Sequence, residues 1–541
     1  ALDFSVNFIP GAGEIHIEQP QSVTIESEHW LEDAISLNQL DGLITWHSDD
    51  TDDIVFSTED LQAEVESFAT RTTGFVKVTS TAPGKPRDKD TYVDLVTYVE
   101  AGDLAKVAKL VPKNIMPKKG EHWARNALKA GEIDNGAIAF RGNLRNFPFD
   151  DKSGVFRATF DARDVDIKYG AKWPMVENVA GQLNIENRAV KFTVSAGEIY
   201  SSKLEPSIVE IPDLFTKQRT VQITGKTVVN AEDVNKFINE SPLKNTNAKR
   251  FKNADIGGKF GLELDINLGI FPGGEKELLG QAHFDGNRIQ SRNLKLALEE
   301  LNGSVSFTRQ DWYGEGMSAT FEGNRVGVLL NGGLDAHNYD TEIRLTGTSN
   351  AEFIMQQMKT YAPGIAKAFT HAGERTSITG ATSWKTVISL PSSDQGNETT
   401  PRKINLQSSL TGLDIDMPWP LGKTREQSMP FSMTVHSSAK TPRVNHIILG
   451  DRVSAKVEES ALIEGGRTVT GADLLFAGST ATHGPINGVT LHGRLAHFDP
   501  SEWQAILQRF AARKRPSTPP LPLTTALSSQ NSASPGTDCP T

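Results

Sequence analysis

A mainly β chain built from repeated sheet segments is what the 541-residue sequence predicts, and three observations predict it. Apolar and polar residues alternate with period two along many segments; glycine, asparagine and aspartate separate those segments; and one strand-to-helix transition recurs at wide intervals. Alternation puts successive side chains on opposite faces of a strand, so each segment asks for one wet face and one apolar face. The clearest case is KFGLELDINLGIF, where Phe260, Leu262, Leu264, Ile266, Leu268 and Ile270 share one face while Lys259, Glu263, Asp265 and Asn267 take the other. Shorter cases are Leu183/Ile185, Phe192/Val194, Val326/Val328/Leu330, Ile343/Leu345, Ile404/Leu406, Leu413/Ile415/Met417 and Phe431/Met433/Val435. The stretches FDGNR (284–288), FEGNR (321–325) and LNGG (330–333) read as turns, which favours antiparallel hairpins and meanders.

The transition to helix is seen first in VTYVEAGDLAKVAKLVP (96–112), a strand ending that becomes a short helix from Leu104 to Val111. Aligned on an N-cap, the same order recurs at Asp103, Asp233, Asn350 and Asp499, each with a bulky apolar residue four positions on: Val107, Phe237, Ile354 and Trp503. Asp and Asn suit the cap because their side-chain oxygens accept from free N–H groups of the first turn. Pro112, Pro242 and Pro363 follow the first three helices, and the caps are 117 to 149 residues apart, room for several strands each. The helices therefore divide the chain into repeats at 1–112 (partial), 113–242, 243–363 and 364–513. Residues 514–541, rich in Pro, Ser and Thr without apolar periodicity, read as a disordered tail.

Composition narrows function by exclusion. A net charge of -11 without any Lys/Arg-rich segment excludes a phosphate-tracking nucleic-acid role. The one cysteine, Cys539, permits no intramolecular disulfide and no multi-cysteine metal site, and its isolation suits an oxidising compartment. No apolar run reaches the roughly 18–20 residues of a membrane-spanning helix, the N-terminus lacks a signal-peptide pattern, and the chain reads as an internal fragment.

The motif search finds no reacting group. GKT at 225–227 and 422–424 lacks the earlier glycine of a phosphate loop, because Thr220 and Met417 stand there, so both read as strand or turn. No HExxH or GxSxG occurs, and HSDDTDD (47–53) lacks the glycine and distant glutamate of a calcium loop, so it reads as a solvated hairpin tip. Trp173 in KWP and Trp419 in PWP read as packed strand entries. Carboxylate pairs for glycoside hydrolysis are assembled in space, and the sequence singles out none. No enzyme, cofactor or metal follows. From alternation alone, a closed β-sandwich with its two apolar faces covering each other is the commoner answer.

The stretches NIMPKKGEHWARNALKAGEIDNGAIAFRGNLRNFPFD (114–150) and GVFRATFDARDVDIKYGAKWPMVENVAGQLNIENRAVKF (154–192) resemble the YhdP family of AsmA-like envelope proteins. So do, in order, 225–244, 293–308, 377–391 and MPWPLGKTREQSMPFSMTV (417–435). The resemblance spans roughly residues 20–510 and rests on the order of several weak motifs. It implies a non-enzymatic conduit: an elongated, rolled antiparallel β-sheet with an open apolar groove, made of repeats of several strands punctuated by short helices. Such a conduit carries phospholipid across the periplasm between inner and outer membranes, in support of outer-membrane biogenesis. On that basis Phe260, Leu262, Leu264, Ile266, Leu268, Ile270, Val326, Val328, Leu330, Ile343, Leu345, Phe431, Met433 and Val435 are the expected lipid-binding lining. The sequence departs from the family in lacking an N-terminal membrane anchor and in its ending after Lys514. Two alternatives stand beside the conduit: a scaffold assisting outer-membrane protein assembly, with an outer-membrane or periplasmic protein partner, and a secreted β-solenoid or sandwich enzyme acting on polysaccharide.

Overall fold

The computed structural model describes residues 3–19, 22–26, 34–48, 53–65, 68–79, 91–107, 122–123, 126–245, 254–291, 296–333, 339–361, 369, 377–391, 401–438, 442–461, 467–477, 488–494, 499–504 and 523–527. They form two units, residues 1–287 with 306–309, and residues 288–305 with 310–541.

In the first unit lie β1 (Phe4–Ile9), β2 (Ala12–Gln19), β3 (Val23–Ile25), β4 (Ile35–Ser48), β5 (Ile54–Val65), β6 (Phe68–Val78), β7 (Thr91–Asp103) and β8 (Leu128–Asn143). They continue with β9 (Val155–Ile167), β10 (Val176–Glu186), β11 (Ala189–Ile199), β12 (Ser202–Ile211), β13 (Thr220–Asn230), β14 (Ala254–Gly257), β15 (Lys259–Gly269) and most of β16 (Lys276–Ser291). From β1 to β16 each strand pairs antiparallel with the next, except that β4 follows β2 and β15 follows β13 in the ladder. β3 lies along the start of β4, and β14 along β16.

The second unit holds most of β17 (Leu296–Thr308), then β18 (Trp312–Phe321), β19 (Asn324–Gly332), β20 (Tyr339–Asn350), β21 (Ile378–Pro391), β22 (Arg402–Ser408) and β23 (Leu413–Ile415). Beyond these come β24 (Phe431–Ser437), β25 (Arg443–Leu449), β26 (Val453–Ala461), β27 (Arg467–Phe476), β28 (Gly488–Gly493) and β29 (Leu523–Leu527). β18 to β27 form an antiparallel ladder in chain order, with β23 set aside on the start of β21, and β27–β28–β29 pair in parallel. Among the described residues no pairing returns from the last strand of either ladder to its first. Each unit is thus an open, mainly antiparallel sheet rather than a barrel.

Local chemistry explains the connections. FEGNR is a two-residue hairpin, with Glu322 and Gly323 both at positive φ as a twist-matched turn requires. FDGNR, by contrast, is a kink inside β16 and not a turn. The Asn287 side chain accepts from Asp285 N and donates to Gly257 O and Lys259 O, so it holds the strand against β15 where a hairpin was expected.

Three of the expected helices follow β7, β13 and β20, as Leu104–Val107, Ala231–Glu240 and Ala351–Tyr361, and residues 500–504 are helical after Asp499. Asp103 and Asn350 cap as predicted, accepting from Lys106 N at 3.3 Å and Phe353 N at 2.9 Å, and Asp499 accepts from Ser501 N at 2.8 Å. Asp233 does not cap: its helix starts after Asn230, and its carboxylate turns to the β11–β12 turn instead. Residues 108–121, with Pro112, and Pro363 lie outside the described residues, as does most of the segment after Lys514, where Leu523–Leu527 form β29.

Candidate functional site

Strand register builds an apolar face in each unit. In an antiparallel pair, residues directly opposite share a face. In the first unit Phe160, Leu183, Phe192, Val209, Ile223, Ile266 and Leu278 are successive partners across β9, β10, β11, β12, β13, β15 and β16. One residue along, on the other face, the partners are Thr159, Asn184, Lys191, Glu210, Gln222, Asn267 and Glu277. The segregation of apolar from polar is complete along these two rows.

The second unit repeats the device less cleanly. Val328, Leu345, Thr386, Leu406, Met433, Ile447, Ala455, Leu474 and Leu491 are successive partners, and so are Leu330, Ile343, Ile388, Ile404, Val435, Asn445, Val457, Ala472 and Val489. Thr386 and Asn445 are the polar members of these rows.

The residues expected to line a groove are therefore brought together by unit. Phe260 to Leu268 share the first unit's apolar face, and Val326, Val328, Leu330, Ile343, Leu345, Phe431, Met433 and Val435 share the second's. Ile270 falls just beyond β15 and is exposed. Val326, Val328, Leu345 and Val435 are buried among their neighbours, whereas Leu264, Ile266, Leu268, Leu330, Ile343, Phe431 and Met433 are half-buried. Val209, Ile223 and Leu278 complete the first face and were not singled out from sequence. The signal was there as alternation in SIVEI and TVQIT, broken by Pro206 and by a glycine.

The helices bury residues of the strands beside them. Leu104 packs on Val165, Val179 and Val194; the helix Ala231–Glu240 brings Ala231 and Val234 onto Val229, Phe260 and Ala282; and Ala351–Tyr361 brings Met355 onto Ile378 and Leu413. β7 and β13 are six antiparallel steps apart, so their helices cap the same rim of the first sheet. The helix Ala231–Glu240 is tied down by Asp233, which accepts from Ser201 N at 3.0 Å and from the Ser201 and Ser202 hydroxyls at 2.7 Å each. Burial raises the pKa of this carboxyl, but the hydrogen bonds outweigh it and the net shift is downward. Tyr200 adds a bond to Glu240 at 2.7 Å and carries Lys236 4.0 Å over its ring.

The charged motifs have structural employment. Lys226 of the first GKT pairs with Glu263 at 2.7 Å, holding that carboxyl below its usual range. Lys423 of the second is buried and donates to the carbonyls of Leu410, Leu413 and Thr424, stapling the loop before β24, while burial pushes its ammonium pKa down. Asp53 of the acidic run pairs with Lys77 at 3.1 Å; Asp49 to Asp52 lie outside the described residues. Trp173 packs between Tyr169 and Phe237, and Trp419 O accepts from Trp503 Nε1 at 3.3 Å. Among the described residues, no cluster of three or more His, Cys, Asp or Glu side chains is placed to hold a metal, and no helix is long and apolar enough to cross a membrane.

The chain is 21% identical over 436 residues to the intermembrane phospholipid transporter YhdP of Escherichia coli (strain K12), covering 79% of this chain and 32% of that protein. It thus spans about a third of the relative's length. No solved structure matches it significantly. The family model of the YhdP protein matches residues 1–537, and the chain belongs to the YhdP family.

Proposed function

We propose that the two apolar faces carry phospholipid acyl chains and that the chain is part of a non-enzymatic conduit moving phospholipid through the periplasm between inner and outer membranes. The observation that carries this reading is the register: apolar partners run strand after strand with polar partners one residue away, in a chain similar to an intermembrane phospholipid transporter. Half-burial of Leu264, Ile266 and Met433 supports it, because a packed sandwich would bury such mid-strand residues fully, and Leu268 and Phe431 extend the same rows toward the strand ends. Leu262 and the buried Phe260 form the bed beneath in the first unit, and Val326, Val328, Leu345 and Val435 in the second; each of the repeats 1–112, 113–242, 243–363 and 364–513 contributes strands to such a face.

The energetics explain why a face without reacting groups suffices. Two acyl chains hold some 30 methylenes, and taking them into water costs on the order of 25 kcal/mol at ~0.8 kcal/mol each. A barrier of that size limits passage to roughly one event in days. A dry face along the whole path removes most of it while the head group stays in water. Native mass spectrometry of the purified chain tests the reading: co-purifying phospholipid is expected, and its absence together with failure to take up added phospholipid would contradict it.

A further inference from the structure

Several glycines on the apolar faces stand across from large aromatic residues of the neighbouring strand. Gly13 is the partner of Trp46, Gly136 of Phe160, Gly332 of Trp312 and Gly347 of Trp384, and Gly280 lies against Phe307. In each case the ring fills the space a Cβ would need. A Cβ at Gly13 would stand 2.6 Å from Trp46 Nε1 and one at Gly347 2.9 Å from Trp384 Cζ2, while at Gly136, Gly280 and Gly332 it would overlap the ring. The rings therefore lie down across the next strand instead of standing off the sheet.

Register assigns all of these pairs to the apolar faces. Gly13 alternates with Ile15 and Ile17, Phe160 is the partner of Leu183, Gly280 of Leu264, and Gly347 of Val326, while Gly332 stands two residues after Leu330. Glycines of the opposite faces differ: Gly327 meets Thr346 and Gly261 meets the His283 side chain no closer than 3.4 Å. A glycine inside a strand weakens it and marks a close approach, and a cross-strand ring restores some of the packing. Aliphatic pairs would cover the same backbone without that weakness. What the glycine–aromatic pair adds is a low, flat, rigid surface with few rotatable bonds.

We propose that these recumbent rings are the floor on which acyl chains lie, with Trp46 in the first unit and Trp384 in the second in direct contact with lipid. The proposal rests on the phospholipid-carrying reading above. Its test loads the full chain with phosphatidylcholine brominated along the acyl chains, a contact quencher of indole emission, and measures retained lipid separately by mass spectrometry. Loading is expected to lower tryptophan emission, and W46F and W384F each to remove part of that quenching. W123F serves as the control, since Trp123 belongs to no strand of these rows and donates its Nε1 to Tyr169 O beyond the end of β9, and it is expected to remove none. Lipid retained at wild-type level with quenching undiminished in both W46F and W384F overturns the floor assignment and leaves the carrier reading standing. Failure to retain any lipid overturns both. In a second arm G347V, which forces the Trp384 ring upright, is expected to lower retention, and G347V/W384L to regain it; unchanged retention in folded G347V overturns the proposal.

Discussion

The patches covered by the helices and the neighbouring rows of the same strands are made of the same residue types, yet they are buried differently. Beside Leu104, Val165, Val179 and Val194 are 2%, 1% and 6% exposed, packed with Leu128, Ile167, Val176 and Phe192. A few residues away Leu183, Val209, Ile223 and Ile266, no less apolar, keep part of their surface in the open. The difference separates two uses of one alternating pattern. On the proposed reading, the helix-covered patches hold the sheet together and the half-buried rows are left for a ligand, since monomeric proteins rarely leave long apolar surface without one.

Putting a charge at each location breaks the comparison most sharply. Leu264→Asp should fold, as its carboxylate can reach water, but lose lipid by at least about tenfold, because an acyl chain over a carboxylate forfeits more than the roughly 1.4 kcal/mol that factor represents. Val179→Asp should fail to fold at all, which circular dichroism and expression yield will read. Truncation gives the next largest contrast. Ile378→Ala, at a 4% exposed site under the helix Ala351–Tyr361, should cost about 2–5 kcal/mol in denaturant unfolding, whereas Ile223→Ala should cost about 1–2 kcal/mol. Equal costs would mean that the middle rows are covered after all.

Smaller effects sharpen the account of the rim. Asp233→Ala removes the acceptor of three hydrogen bonds and should cost about 1–3 kcal/mol, seen as faster hydrogen exchange confined to residues 231–240 and the 200–202 turn. Acid should loosen the same latch. The Asp233 pKa is lowered on folding, so its contribution is complete above the unfolded value of about 3.9 and is lost as pH falls through the lower folded value. Protection of residues 231–240 that is unchanged on acidification in that window would argue that the helix is held by Val234 and Ala231 alone.

Much of this was legible in the sequence because it is local. Alternation in KFGLELDINLGIF places β15 to within a residue, and an Asp or Asn followed by an apolar residue four positions on identifies the caps of three helices. What escaped is what the chain does to itself across distance. Asp233 looks like a cap by spacing, but Ser201 and Ser202, thirty residues earlier, are its partners. FDGNR looks like a turn, but Gly257 and Lys259 capture the Asn287 amide. The glycine–aromatic pairs escaped for the same reason, since neither Gly347 nor Trp384 signals anything until β20 is laid beside β21. The choice between an open and a roofed face depends on how far alternating segments stay uncovered, which no window of sequence contains.

The offset of a single residue between the rows gives the most direct test. A photo-crosslinking amino acid placed at Ile266, in the apolar row, and at Asn267, in the polar row, samples the two faces of β15 at the same depth. With phospholipid-loaded protein the account predicts lipid adducts from position 266 and none from 267. Equal labelling from both positions, or adducts to protein alone from 266, would contradict it.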